Sequence, residues 1–362
     1  MRIGLLIYGS LDTVSGGYLY DRKMAQYLEQ HGDSVEIISL DQKTYSRNLF
    51  DNFRLSLLQR VTASRLDLLL QDEHIHPTLF WLNQRLYTET HIPILSVVHH
   101  LRCSEDYPLW ENWFYKFIEK KYLESIDGFI FNSNTTRGVI EHILGRGVPG
   151  VVAVPSGSQF SGAISENEII ARSQSEGPLR ILFVGNVIPR KGLHHLLKAL
   201  SMLPGNYWHL NIIGSLAVNP SYSKDVQRLA NQLGVNDRIN FLGVIPNQEL
   251  GDLYRSHQVL AVPSSYEGYG MVYLEGMGFG LPAIASIQGA AHEVITHGED
   301  GFLIHPKIAG TMAKLLMQLY EDRPKLIQMS LAAHKRYLEQ PTWNQTGEVI
   351  RTFLQSTLNT HA

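Results

Sequence analysis

Short apolar runs alternate with longer stretches of helical period along almost the whole 362-residue chain. In the first half, Ile3–Tyr8, Ser34–Leu40, Asp67–Leu70, Ile94–Val98, Phe129–Phe131 and Val151–Val154 read as strands. Between them, Tyr18–His31, Trp110–Ser125 and Asn134–Leu144 read as helices. The second half repeats the scheme, with strands at Arg180–Val184, His209–Ile213, Ile239–Leu242, Gln258–Val262, Ala283–Ser286 and Gly301–Ile304. After the first of these, Leu193, Leu196, Leu197 and Leu200 keep the i, i+3, i+4, i+7 spacing of one helix face. Apolar strands alternating with helices predict parallel sheets covered on both sides. Two such series predict an α/β chain of two Rossmann-like, doubly wound domains, 1–155 and 179–342, joined by a Ser-, Gly-, Glu- and Gln-rich linker at 156–178. In open sheets of this kind ligands bind beyond the carboxyl ends of the strands. Two such domains facing a central cleft would make that cleft the default site.

Composition narrows the class. Lys+Arg 31 against Asp+Glu 34 leaves a net charge of −3, which gives no electrostatic reason to expect nucleic acid. The single cysteine, Cys103, forms no intrachain disulfide and fits a reducing, cytoplasmic setting. No apolar run approaches the roughly 18–20 residues that span a bilayer. The short apolar start, Ile3–Tyr8, ends in Gly9-Ser10 and reads as a first strand rather than a leader peptide.

Four motifs carry candidate chemistry. Pro263-Ser264-Ser265-Tyr266-Glu267-Gly268-Tyr269-Gly270-Met271 follows an apolar strand and leads into a helix that contains Glu275. A Gly-rich turn at a helix start presents backbone N–H groups and the positive end of the helix dipole to phosphate. Glu267 and Glu275 place a carboxylate at each of two points of one ligand; a plain strand–helix turn with two surface glutamates is the competing reading. In Gly185-Asn186-Val187-Ile188-Pro189-Arg190-Lys191-Gly192, two cations stand at a strand's carboxyl end, suited to a diphosphate leaving group or merely to a solvated turn. Gly16-Gly17 after the first strand allows close backbone approach but lacks the G-x-G-x-x-G of dinucleotide sites. His99-His100 after Ile94–Val98 could bond substrate hydroxyls or move protons, or could be structural.

These elements, in this order, resemble the large retaining glycosyltransferase family four, which has the GT-B fold. The resemblance is most specific from Ile181 to His305. Glu267 and Glu275 look like the family's paired glutamates, and Phe183–Leu193 like its donor motif. Gly289–Ile295 and Gly298–Leu303 fit as well, while Asn132–Thr136 and Val154-Pro155-Ser156-Gly157 match more loosely. The resemblance implies a glycosyltransferase that moves a sugar from a UDP- or GDP-sugar-like donor with retention of configuration. Glu275 would bond the donor ribose and Glu267 the transferred sugar. The turn Gly268-Tyr269-Gly270-Met271 would meet sugar and phosphate, chiefly through backbone groups of Tyr269, Gly270 and Met271. Arg190 and Lys191 would bind the diphosphate, Val244 would touch the base, and Gly16 or Gly17 would close over the phosphates. His99, rather than His100, would be the first domain's catalytic histidine. No cofactor is implied. No D-x-D tripeptide occurs, in keeping with a diphosphate held without metal. A C-terminal helix at about 343–362 would return to the first domain.

Other readings stay open: a nucleotide-sugar epimerase or phosphorylase of the same fold, or a non-catalytic nucleotide-sugar-binding partner subunit. Asp72, Glu73, His74 and His76 allow a metal site, although capping of the preceding strand is the expected role. Trp110, Trp113, Phe114 and Phe117 fall at helical spacing beside Lys116, Lys120 and Lys121. Such a stripe is expected in the core; the alternative is peripheral contact with the inner membrane face and a lipid acceptor. The acceptor, whether glycan, lipid or small molecule, is expected to meet loops around 41–52 and 101–108.

Overall fold

The computed structural model describes residues 1–157, 160 and 164–361. Packing divides the chain into two units, Met1–Pro155 with Pro341–Ala362, and Ser156–Gln340. Each is built on a six-stranded parallel sheet. The fold class is thus the doubly wound α/β one that the apolar runs predict.

The first sheet comprises β1 (Arg2–Tyr8), β2 (Ser34–Leu40), β3 (Leu68–Asp72), β4 (Ile94–Val98), β5 (Gly128–Phe131) and β6 (Gly150–Val152), in the order β2-β1-β3-β4-β5-β6. The two-residue alternation of a strand sends Ile3, Leu5 and Ile7 to one apolar layer and Leu6 and Tyr8 to the other, so β1 is buried on both faces. The helix Gly16–Gln30 begins at Ser15, whose hydroxyl accepts from Tyr18 N at 3.3 Å. The C-terminal helix Trp343–His361 packs on it. Thr346 donates to Val154 O at 2.8 Å, and Arg351 pairs with Asp33 at 2.7 Å. Gly347 lies against the Tyr27 ring, where a Cβ would overlap ring carbons.

The second sheet comprises β7 (Leu179–Val184), β8 (Trp208–Ile213), β9 (Ile239–Gly243), β10 (Val259–Val262), β11 (Ala283–Ser286) and β12 (Gly301–Ile304), in the order β12-β11-β10-β7-β8-β9. The strand order reverses between β7 and β10, and both candidate donor motifs follow these two strands. That is the position at which open sheets hold ligands.

Two expectations are corrected. The segment 156–178, expected as a linker, contains the helix Glu166–Gln174, opened by a capping box between Ser165 and Glu168. Its buried Arg172 donates to Phe279 O and Gly280 O, both at 2.8 Å, and Ile169 is fully buried. The helix reads as linker because its polar residues face water and only a few side chains anchor it. Of the same segment, 158, 159 and 161–163 lie outside the described residues. The aromatic stripe of the helix Leu109–Leu123 is not core. Leu109, Trp110 and Trp113 are 90%, 72% and 71% exposed, while Tyr115, Ile118, Tyr122 and Leu123 face inward. The sequence offers two apolar faces, and the sheet accepts the second. No helix is long and apolar enough to cross a membrane among the described residues.

Gly347→Val should destabilise the protein by about 1–3 kcal/mol by overpacking against Tyr27. Chemical denaturation checks this; an unchanged midpoint would mean that the C-terminal helix is not held by this contact.

Candidate active site

At the second sheet's reversal point, the turn after β7 is pinned to the end of β10. Gly192 has φ +72°, and a Cβ there would run into the Pro263 carbonyl, so only glycine lets the two loops meet. Ser265 N donates to Arg190 O at 2.7 Å. This seats Lys191 Nζ 2.6 Å from Glu267 Oε1, an oxygen that also accepts from Ser264 Oγ at 2.6 Å. Arg190 Nη1 lies 3.5 Å from Glu267 Oε2 and donates to Tyr266 O at 2.8 Å. From below, Gly289 (φ +80°) abuts the Glu267 backbone, and Ala290 N donates to Glu267 O at 2.8 Å. The Gly289–Ile295 motif is therefore a seat for Glu267.

Burial would raise the Glu267 carboxyl, but Lys191 and Arg190 outweigh it and hold the group at about 2. Burial lowers Lys191, and Glu267 opposes this. The site thus keeps an ionised carboxylate between two cations. Gly270, at φ +100°, turns the chain into the helix Met271–Gly278, whose first-turn N–H groups have no partner within the helix. Glu275 is buried in this helix and accepts from Tyr254 Oη at 3.0 Å. Burial raises it to about 7 against the opposing pull of Tyr254 and Lys191. Tyr269 turns its ring inward and donates to Gln340 at 3.2 Å, so its part in any ligand contact falls to its backbone. Gly268 lies in the same turn. Val244 is not gathered here: it follows β9, two strands from β7, and is 62% exposed.

The remaining candidates belong to the first unit. Gly16 and Gly17 open the helix after β1, and a Cβ on Gly17 would come within 3.1 Å of the His99 ring. His99 Nε2 meets Asp21 Oδ1 at 3.1 Å, and the ring stands edge-on to Tyr20. Burial would lower His99, but Asp21, Asp72 and Glu73 overcome it and raise it; burial likewise raises Asp21. His100 turns instead to Glu105, at 2.9 Å. Asp21 stands in no motif that marks it in the sequence. Its one signal is position: it shares the buried helix face of Tyr20, Met24 and Ala25.

The four-residue metal reading separates. Asp72 groups with Asp21 and His99, and Glu73 with His76 and Glu119; His74 joins neither group among the described residues. Asp72 caps the turn after β3, accepting from His74 N at 3.0 Å. Beside these groups lies a cavity of about 140 Å³, lined in part by Lys43, Tyr45, Asn48, Glu73, His76 and Arg102. Three of its lining residues carry a buried polar atom with no hydrogen-bond partner, Asn48 Oδ1, Glu73 Oε1 and Arg102 Nε. His76 Nδ1 lies 3.0 Å from Glu73 Oε1, but its hydrogen-bond geometry is with the Glu73 carbonyl. Burial raises Glu73 to about 8 and Glu119 to about 7.

In this two-unit α/β chain a phosphate-type turn thus stands against a buried cation–carboxylate cluster at the reversal of the second sheet. Residues 165–336, within the second unit, match the family model described as Glycosyl transferases group 1. A D-inositol 3-phosphate glycosyltransferase of Corynebacterium aurimucosum is 29% identical over 271 residues, 70% of this chain and 63% of that protein. An uncharacterised glycosyltransferase of Methanocaldococcus jannaschii is 34% identical over 133 residues, 37% of this chain and 33% of that one. The chain therefore spans less than two thirds of either relative. Sucrose-phosphate synthase of Thermosynechococcus elongatus superposes with a TM-score of 0.83 at 18% identity, over 99% of both chains. Anabaena HepE, solved with UDP and glucose, gives 0.75 at 20% identity, over 98% of this chain and 100% of that one. Likeness at this identity establishes the GT-B fold.

Glu275 binds its proton more tightly folded than unfolded. Its contribution to stability is intact below its ordinary 4.5 and is lost as pH rises through about 7. Glu275→Gln should therefore gain on the parent in unfolding free energy between pH 5 and pH 8, by up to about 3 kcal/mol, as chemical denaturation at the two pH values would show. A difference independent of pH would mean that Glu275 is not held protonated by burial.

Proposed function

We propose that the protein is a glycosyltransferase that transfers a sugar, with retention of configuration, from a nucleotide-diphosphate donor to a hydroxyl-bearing acceptor. The observation that carries the reading is the Arg190–Lys191–Glu267 cluster beside the N-terminus of Met271–Gly278. It offers two cations and a helix dipole to a leaving diphosphate; the proposed reaction uses no metal at the diphosphate and no cofactor. In the proposed reaction the bond between the anomeric carbon and the diphosphate oxygen breaks through an oxocarbenium-like state. Its electron pair stays on the diphosphate, which Arg190 and Lys191 stabilise. The acceptor oxygen bonds the anomeric carbon from the same face, and its proton passes to the departing phosphate. Glu275 takes hydroxyl hydrogen bonds of the donor ribose. Glu267, ionised between its cations, positions both them and the sugar. His99, held by Asp21, is the proposed catalytic histidine of the first unit, and Val244 is the proposed contact of the base.

The first-unit cavity is the proposed acceptor seat. It is lined by the loops at 42–48 and 100–105 and has room for several waters of roughly 30 Å³ each, the scale of one sugar ring. Its unpartnered atoms include both acceptors and a donor, which suits hydroxyls, since these both give and take hydrogen bonds.

The test is a panel of UDP-, GDP- and ADP-sugars with a chelator present, read by nucleotide release and by ligand-induced thermal stabilisation. One donor should bind. Arg190→Ala and Glu275→Ala should each weaken it about tenfold or more, the loss of one charge-assisted hydrogen bond. If no donor binds, or both variants bind like the parent, the site is scaffold and the non-catalytic reading takes its place. Donor turnover to a 2-epimer without transfer would point to the epimerase instead. With an acceptor in hand, Glu73→Gln should raise the acceptor KM while leaving donor binding unchanged; an unaltered KM would remove the cavity from the acceptor site.

A further inference from the structure

The helix Leu109–Leu123 buries Tyr115, Ile118, Tyr122 and Leu123 and turns its other apolar side to solvent. Leu109, Trp110, Trp113 and Phe117 are 90%, 72%, 71% and 48% exposed, and the rings of Trp113 and Phe117 stack at 6.3 Å. Soluble surfaces seldom show so many large apolar side chains together without a partner. Further along the same exposed face come Lys116, Lys120 and Lys121. The face is thus sorted lengthwise, aromatic at its amino end and cationic at its carboxyl end.

A second exposed apolar group lies nearby in the fold. Phe50 and Phe53 are 75% and 56% exposed, and Phe53 stands edge-on to the exposed Trp81. The short helices bearing Phe50 and Phe53 pack on His76–Leu79, which in turn packs on Leu109–Leu123. Tyr45, on the Phe50 helix, contacts Phe114 directly. Charge around both groups is mostly positive, with exposed Asp106 just before the aromatic helix and exposed Asp41 4.0 Å from Arg54. Across residues 45–60 and 109–124, six Lys and Arg side chains are exposed against one exposed carboxylate, Glu124. Glu124 is paired with Lys121 at 3.2 Å and lies 4.0 Å from Lys120.

We propose that this surface of the first unit docks on an anionic lipid bilayer, with Trp110 and Trp113 entering the interfacial layer and the lysines meeting lipid phosphates. Tryptophan favours that layer because its ring is apolar and its N–H is polar. Lys and Arg beside an apolar face bring it to negatively charged headgroups. A second protein copy would cover the aromatic residues equally well but gives no reason for the excess of lysine and arginine over carboxylates around them. The proposal is independent of glycosyl transfer, and its test does not use it.

The full-length protein is sedimented with phosphatidylcholine vesicles, with and without phosphatidylglycerol. Tryptophan emission is recorded in parallel. The parent should sediment with the phosphatidylglycerol vesicles, shift its emission to shorter wavelength and come off as salt rises. Trp110→Ala/Trp113→Ala and Lys116→Glu/Lys120→Glu should each lower binding by about tenfold or more, an aromatic and an electrostatic loss respectively. All four side chains are exposed, so thermal midpoints should stay at the parent value, which separates lost docking from lost folding. The proposal is overturned if the parent ignores phosphatidylglycerol vesicles or if both variants bind like the parent. It is equally overturned if light scattering shows a dimer that Trp110→Ala/Trp113→Ala dissolves while vesicle binding persists.

Discussion

The second unit's site depends on the buried contact between Lys191 and Glu267. It joins the turn after β7 to the turn after β10 at the one place where the strand order of the sheet reverses. A buried ion pair adds little net stability, because desolvation offsets most of its attraction; removing one partner, however, strands the other charge. The pair therefore fixes geometry more than it strengthens the fold. Gly192, Ser264, Ser265 and Gly289 are the surroundings that geometry requires: two glycines permit the approach of backbones, and the serines complete the hydrogen bonding.

The first unit handles charge differently. Its sheet ends in buried acids and histidines, Asp21, Asp72, Glu73, His76 and Glu119, with the half-buried His99 beside them and few cations among them. Burial raises Glu73 and Glu119 toward neutrality, where each is partly protonated and can donate as well as accept. His99 is raised by its acidic neighbours and His76 lowered by burial, so neighbouring charge and desolvation push these two histidines in opposite directions. The cationic cluster of one unit suits a diphosphate. The hydroxyl-compatible interior of the other suits a polar acceptor. The division of labour proposed for the two units rests on this contrast.

Local signals were reliable wherever backbone physics alone sets the outcome. All twelve strands lie within a few residues of their apolar runs, which burial on both faces explains for the central strands, while the edge strands β2, β6 and β9 are only half-buried. The glycines of the donor motifs were also legible, since a turn that needs positive φ admits little else. Errors arose where packing chooses between locally equal options. The 166–174 segment reads as linker although Ser165 and Glu168 spell its capping box, because its composition is polar and its anchoring partners, Phe279 and Gly280, lie more than a hundred residues away. The Leu109–Leu123 helix has two apolar faces, and sequence periodicity cannot say which one the sheet will take.

The sequence by itself determined the alternation of strands and helices, the two doubly wound units and the two motifs that meet at the second sheet's reversal. Each follows from local period, backbone freedom or order along the chain. Only the tertiary structure decided that Glu267 would sit ionised between two cations, that Asp21 would hold His99, that three unsatisfied polar atoms would line one cavity, and that the tryptophans would face outward. These depend on distances between residues remote in sequence and on how much water each group loses, and both are properties of the packed chain.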